Sequence, residues 1–174
     1  MEGRTYRSRI LFHMAKSDIV LGLYEETPIT SGNFESLVER GIYNGTIFWR
    51  IKPGFVIQGG SPDNTIDGGP GYTIKAEFDL GPGEHLRGTV GMARDEDPDS
   101  AGSQYFINLA DNHRLDRRYT VFADVVTGMD VVDAIAALEC VPLGSATHEG
   151  KQIDIGGRPK NEDDARVLET KLMW

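Results

Sequence analysis

The stretch Ile47-Phe48-Trp49-Arg50-Ile51-Lys52-Pro53-Gly54-Phe55-Val56-Ile57-Gln58-Gly59-Gly60 holds two short apolar runs split by Pro53-Gly54. Such a pattern reads as two strands joined by a tight turn. Strand alternation places Phe48 and Arg50, and after the turn Phe55 and Gln58, at special positions. An arginine set between aromatics in a strand is uncommon, because a buried guanidinium needs partners or a ligand. Periodicity alone leaves open a surface arginine on a half-exposed strand.

Outward from this stretch, further short strands are predicted at residues 89–93, 104–109 and 119–126. Turns separate them: Gly59-Gly60, Asp67-Gly68-Gly69-Pro70-Gly71 and Gly81-Pro82-Gly83. Regular short strands with such punctuation indicate a β-barrel or sandwich. On the N-terminal side, residues 10–14 and 19–24 form a predicted hairpin about Lys16-Ser17-Asp18. A helix follows, with Thr27 as N-cap and Pro28 as first helical residue. Phe34, Leu37 and Val38 give it one apolar face, and Gly41 is the expected stop. A second helix is predicted over 129–138, with Val131, Val132, Ile135 and Leu138 on one face. Residues 139–166 carry mixed turn signals over a length that should hide a short strand. A last strand is expected at 167–172, and Gly81-Pro82-Gly83-Glu84-His85 reads as a surface loop.

The chain has 174 residues, a length suited to a single domain spanning 1–174. Eighteen basic and 27 acidic side chains give a net charge of −9, which disfavours nucleic acid and anionic membrane as partners. No apolar run approaches membrane-spanning length and no signal-peptide core follows the N-terminal arginines, so a cytoplasmic location is expected. Cys140, the one cysteine, reads as a small buried hydrophobe. The four histidines show no metal-binding spacing, and each reads as a surface or satisfied histidine. Asp95-Glu96-Asp97-Pro98-Asp99 lacks the glycine and glutamate of a calcium loop and reads as a solvated acidic loop. The glycine-rich 67–71 segment lacks a phosphate-loop Lys-Ser/Thr, and Ser103 lacks a nucleophile elbow. Neither a metal nor a cofactor is expected.

Two further blocks complete the pattern. They are Gly88-Thr89-Val90-Gly91-Met92-Ala93-Arg94 and Gly102-Ser103-Gln104-Tyr105-Phe106-Ile107, followed by Leu115-Asp116 and Tyr119-Thr120-Val121-Phe122. With F-x-R-x-x-P-G-F-x-x-Q-G-G before them, residues 8 to 138 resemble a cyclophilin, a peptidyl-prolyl cis-trans isomerase of the compact prokaryotic type. The resemblance implies a mainly β fold, a closed eight-stranded antiparallel barrel capped by two α-helices. Its interior is a packed core and the substrate lies outside. The family's catalytic arginine matches Arg50. Its proline-pocket residues match Phe55, Met92, Phe106 and Leu115, and its peptide-backbone partners match Gln58, Ala93 and Gln104. The chain departs from the family pattern at Val56, Arg94, Arg114 and Tyr119. Val56 and Tyr119 keep apolar bulk, and Arg94 still offers its backbone. Arg114 replaces a tryptophan, so weakened affinity for cyclosporin is expected.

The implied reaction suits these residues. Rotation about an Xaa–Pro bond faces a barrier of about 18–20 kcal/mol, but breaks no bond. It needs a group that favours the twisted amide, and a guanidinium can donate to the nitrogen lone pair that twisting releases. Partners are expected to be Xaa–Pro-containing polypeptides, and the protein a monomer that assists folding. The alternative is a binding module or chaperone that docks proline segments without turnover. Arg50 favours the enzyme, since a pure binder needs only the apolar cup.

Overall fold

The computed structural model describes residues 3–174. The sequence-predicted hairpin is present as β1 (Ser8–Met14) and β2 (Asp18–Leu23), with Ile10 opposite Leu21 and Phe12 opposite Ile19. Alternation turns Ile10, Phe12 and Met14 inward, all but fully buried. The central strands are β3 (Arg50–Lys52), β4 (Val56–Gly59), β5 (Thr89–Met92), β6 (Tyr105–Asn108) and β7 (Val121–Thr127). Across them Ile51, Ile57, Ile107, Val90 and Ala123 pair in register as one apolar row of the core.

Helix α1 (Pro28–Glu39) starts where the sequence places it, but not by the expected cap. The Thr27 hydroxyl pairs with Ser31 Oγ instead. The Glu77 carboxylate takes the first amides, accepting from Ile29 N at 3.2 Å and Thr30 N at 2.6 Å. The helix ends with Ile42 N bonded to Leu37 O and Gly41 N to Val38 O, the paired bonds of a Schellman stop. Its Phe34 ring sits among Phe12, Tyr43, Tyr105 and Phe122, with centroids 4.8–6.3 Å apart. Helix α2 (Met129–Ala136) is two residues shorter than expected and buries Val132 and Ile135 against β2, β3 and β4.

Residues 139–166 differ most from expectation. One hidden strand was predicted, and there are four: β8 (Cys140–Pro142), β9 (Ser145–His148), β10 (Lys151–Asp154) and β11 (Gly157–Pro159). A short 3-10 turn (Glu162–Ala165) leads to the last strand, β12 (Val167–Met173). Cys140 is half-buried at the start of β8, and burial raises its thiol pKa, so it is a quiet packing residue. The expected count of eight strands is therefore corrected. The main sheet has ten, ordered β12-β1-β2-β7-β5-β6-β4-β3-β11-β8, and β9 and β10 pair separately. The extra strands come from the 139–166 segment, where β11 joins β3 and β8 extends it. The ladder does not close on itself: β12 and β8 are its ends.

Candidate active site

The site is a cross-strand row on the face opposite the core. Arg50 on β3 pairs with Gln58 on β4, Gln58 with Phe106 on β6, and Phe106 with Gly91 on β5. Direct partners share a face, and three strand spacings span about 14 Å. Gly91 is required here, because a Cβ would sit 2.5 Å from the Phe106 ring. The tip of the Phe106 ring therefore lies over Gly91 on β5.

Arg50 is anchored through two of its three guanidinium nitrogens. Its Nε donates to Ile155 O at 2.6 Å and its Nη1 to Gln58 Oε1 at 3.1 Å. Nη2 has no protein partner among the described residues. Burial lowers the Arg50 pKa from the ordinary arginine value, against opposing pulls from Tyr119 and Asp154. A guanidinium remains protonated regardless. Gln58, with its Oε1 held by Arg50, turns its Nε2 to Gln104 Oε1 at 3.0 Å. The same oxygen accepts from Trp49 Nε1 at 2.9 Å, and Gln104 Nε2 faces the carbonyls of Thr65, Ile66 and Gly68. The Gln104 amide is thus fully occupied. It orients Gln58 and the 65–68 loop.

The other site residues gather around this row. Phe55 follows the β3–β4 turn, and its carbonyl accepts from Leu109 N and Asn112 Nδ2. The Arg114 guanidinium lies 4.4 Å from the Phe55 ring centroid. Leu115 ends the 3-10 turn His113–Leu115. Tyr119 meets Phe106 edge-on at 5.8 Å, and Arg94 lies 4.6 Å over the Tyr119 ring. Arg94 otherwise bonds only backbone carbonyls, those of Arg118, Asp95 and Glu96. The Ala93 N–H is taken by Gln104 O, leaving its carbonyl for a ligand. Met92 is the exception. It pairs with Tyr105, is 2 % exposed and belongs to the core cluster, so its side chain is not on the Phe106 face.

Sequence reasoning missed three residues. Trp49 lay in the opening motif without a role, and the structure gives it the Gln104 contact. His85, assigned to a surface loop, is fully buried and stacks on Phe106 at 5.7 Å and 13°. Asp116 accepts from the His85 backbone N–H at 2.7 Å, and also contacts the rings of His85 and His113. That carboxylate ties the 113–115 turn, with Arg114 and Leu115, to the support of Phe106. The only sequence signal was Leu115-Asp116. Among the described residues no group of three or more His, Cys, Asp or Glu could hold a metal ion, and no helix is long and apolar enough to cross a membrane.

The family described as cyclophilin type peptidyl-prolyl cis-trans isomerase/CLD matches residues 9–156. The chain belongs to this family. It is 44% identical over 142 residues to a peptidyl-prolyl cis-trans isomerase of Acinetobacter baylyi, covering 78% of this chain and 75% of that one. Peptidyl-prolyl cis-trans isomerase B of Escherichia coli is 40% identical over 141 residues, covering 72% and 82%. A crystal structure of a Cryptosporidium parvum cyclophilin type peptidyl-prolyl cis-trans isomerase superposes with a TM-score of 0.79 at 23% identity, over 96% of this chain and 98% of that one. A second structure of that protein, determined in the presence of the dipeptide Ala-Pro, gives 0.78 at 23% identity over 95% and 99%. The last two establish the mainly β cyclophilin fold, and the sequence relatives establish the activity: this cyclophilin is a peptidyl-prolyl cis-trans isomerase.

Proposed function

We propose that Arg50 is the catalytic group, and that Phe55, Phe106, Leu115 and Tyr119 hold the proline ring while Gln58 and the Ala93 carbonyl hold the flanking chain. One observation carries the reading: the guanidinium is fixed through Nε and Nη1, so Nη2 has no partner among the described residues, at the end of the row that leads through Gln58 to Phe106. In the planar Xaa–Pro bond the nitrogen lone pair is delocalised and a poor acceptor. As the bond twists, the nitrogen becomes pyramidal and its lone pair accepts from Nη2. The bond strengthens only toward the transition state, which is the condition for acceleration. A preorganised charged donor and a desolvated ring together could supply about 5–7 kcal/mol, or four to five decades.

Exchange NMR on an Xaa–Pro peptide, with wild type beside Arg50→Ala, tests this. Acceleration by wild type, with most of it lost in a variant that still binds peptide, supports the mechanism. An equally active Arg50→Ala overturns the assignment. Binding without acceleration would make the chain a proline-docking module.

The finer features of the reading belong to the same proposal. The single domain is taken as a barrel whose seam is the bridge Ile47↔Arg166, with Phe48 N–H donating to Ala165 O and Val167 N–H to Thr46 O. A monomer in a reducing cytoplasm suits a composition with one cysteine. Proline-bearing polypeptides are the partners, and the net charge of −9 speaks against nucleic acid. Weakened cyclosporin affinity rests on Arg114, whose guanidinium covers the Phe55 ring where the family pattern has a flat indole. Tight binding in a calorimetric titration would overturn that point.

A further inference from the structure

The sign of charge at the site runs against that of the molecule. Net charge is −9, yet the groups lying on the site's aromatic rings are cations. Arg94 covers Tyr119 at 4.6 Å and Arg114 covers Phe55 at 4.4 Å, while Lys52 Nζ stands 5.8 Å from the same Phe55 ring. Arg50 adds a fourth positive charge at one end of the row. None of the four has a carboxylate salt partner among the described residues. Arg94 and Lys52 bond backbone carbonyls, Lys52 that of Asp154.

The nearby carboxylates bond other groups, and of them Asp154 also acts on Arg50 through its charge. Asp116 faces His85 and His113. Glu149 is paired with Arg118 at 2.8 Å, and Asp154 Oδ1 accepts from Gly156 N. Asp99 accepts from Ala76 N and Asp97 from Asp99 N. Asp95 and Glu96 meet Arg94 through their carbonyls. The rings that a proline would contact are therefore bordered by cations with no direct carboxylate partner among the described residues.

Resting on the isomerase reading, we infer that this site prefers Xaa–Pro segments with a glutamate or aspartate within two residues of the proline. Arg94 and Arg114 are the specificity-determining residues, acting from the Tyr119 and Phe55 sides. A carboxylate beside the proline gains an ion pair at partial exposure, and a lysine there meets like charge. The acidic remainder of the surface repels acidic chains at long range, so the preference is local and visible in the ratio between matched peptides.

The test is exchange NMR on three pentapeptides that differ only in the residue before proline, Glu, Gln or Lys, at low and high salt. The expected kcat/KM ratio of Glu over Lys is about tenfold at low salt, falling to within about twofold at 0.5 M salt as screening sets in. In the double variant Arg94→Gln, Arg114→Gln the low-salt ratio should collapse similarly. Equal kcat/KM for Glu and Lys peptides, with the Gln peptide accelerated, overturns the preference and leaves the isomerase reading intact. A ratio that survives in the folded double variant overturns the assignment to these arginines. Failure to accelerate any of the three overturns the isomerase reading itself.

Discussion

Arg50 and His85 mark the two extremes of what one residue reveals of itself in sequence. Arg50 sits in a dense local motif, and its two anchors are Gln58, eight residues away, and Ile155. Removing a preorganised donor of this kind costs about two to three decades of rate, so Arg50→Ala should lower kcat/KM by about 10²–10³ with a small change in KM. A drop confined to KM would mean that Arg50 only binds. Arg50→Lys should recover little, because an ammonium cannot reproduce the planar fork. His85 had no local signal: its partners are Phe106 and Asp116, which the fold brings to it. Burial pulls its pKa from 6.5 to about 4, against the pull of Asp116. Between those values the unfolded chain binds a proton that the fold refuses. The stability His85 allows is therefore complete above about pH 6.5 and is lost as pH falls toward about 4, a difference of about 3 kcal/mol. Urea unfolding at pH 7 and pH 4.5 should show wild type losing about 2–3 kcal/mol more than His85→Phe, which keeps a ring on Phe106 but cannot titrate. Equal losses would show that another group governs the acid limb.

At the scale of elements, those with an apolar period were legible and those held by polar contacts were not. Helix α1 was read from Phe34, Leu37 and Val38, and those side chains are buried in the structure. Its true cap was invisible, because Glu77 lies 47 residues from Thr30 and the local candidate, Thr27, gives its hydroxyl to Ser31. Glu77→Ala should then destabilise the protein by about 1–2 kcal/mol, measured by urea unfolding, by freeing the first amides and the Thr30 hydroxyl together. Thr27→Ala should cost less, and the reverse order would restore Thr27 as the cap. The β9–β10 hairpin escaped for a related reason. Its strands are mostly exposed and carry no alternation, leaving the turn as the only signal. Glu149 and Gly150 both take positive φ, 49° and 76°, as a tight two-residue hairpin turn requires. Glu-Gly is a weaker version of the Asn-Gly or Asp-Gly pair that announces such a turn. Nothing local could show that Ile155, just beyond this hairpin, would anchor Arg50.

For the molecule as a whole, the row of site residues depends on how the sheet is held at its ends. β3 carries Arg50, and the residues just before it meet the start of β12 across the seam. Gly45 N donates to Val167 O, Val167 N to Thr46 O and Phe48 N to Ala165 O, at 2.7–3.0 Å. Arg166 clamps the same place, its Nη1 donating to Gly45 O at 2.8 Å. An unpaired edge here would leave backbone groups open to other chains and β3 free to move. The seam bonds hold the residues just before Arg50, while β3 itself lies between β4 and β11. Hydrogen exchange reads the difference directly. The amides of Phe48 and Val167 should exchange on the slow scale of β5 and β6, since opening them requires parting the seam. Arg166→Ala should speed exchange at Phe48 and Val167 while leaving Val90 and Ile107 unchanged, because the ladder through the core row does not pass through Arg166. Exchange at Phe48 and Val167 in wild type as fast as in the exposed 95–99 loop would mean an open sheet. In that case Arg50 would owe its position to Gln58 and Ile155 alone, and Arg166→Ala would leave catalysis untouched.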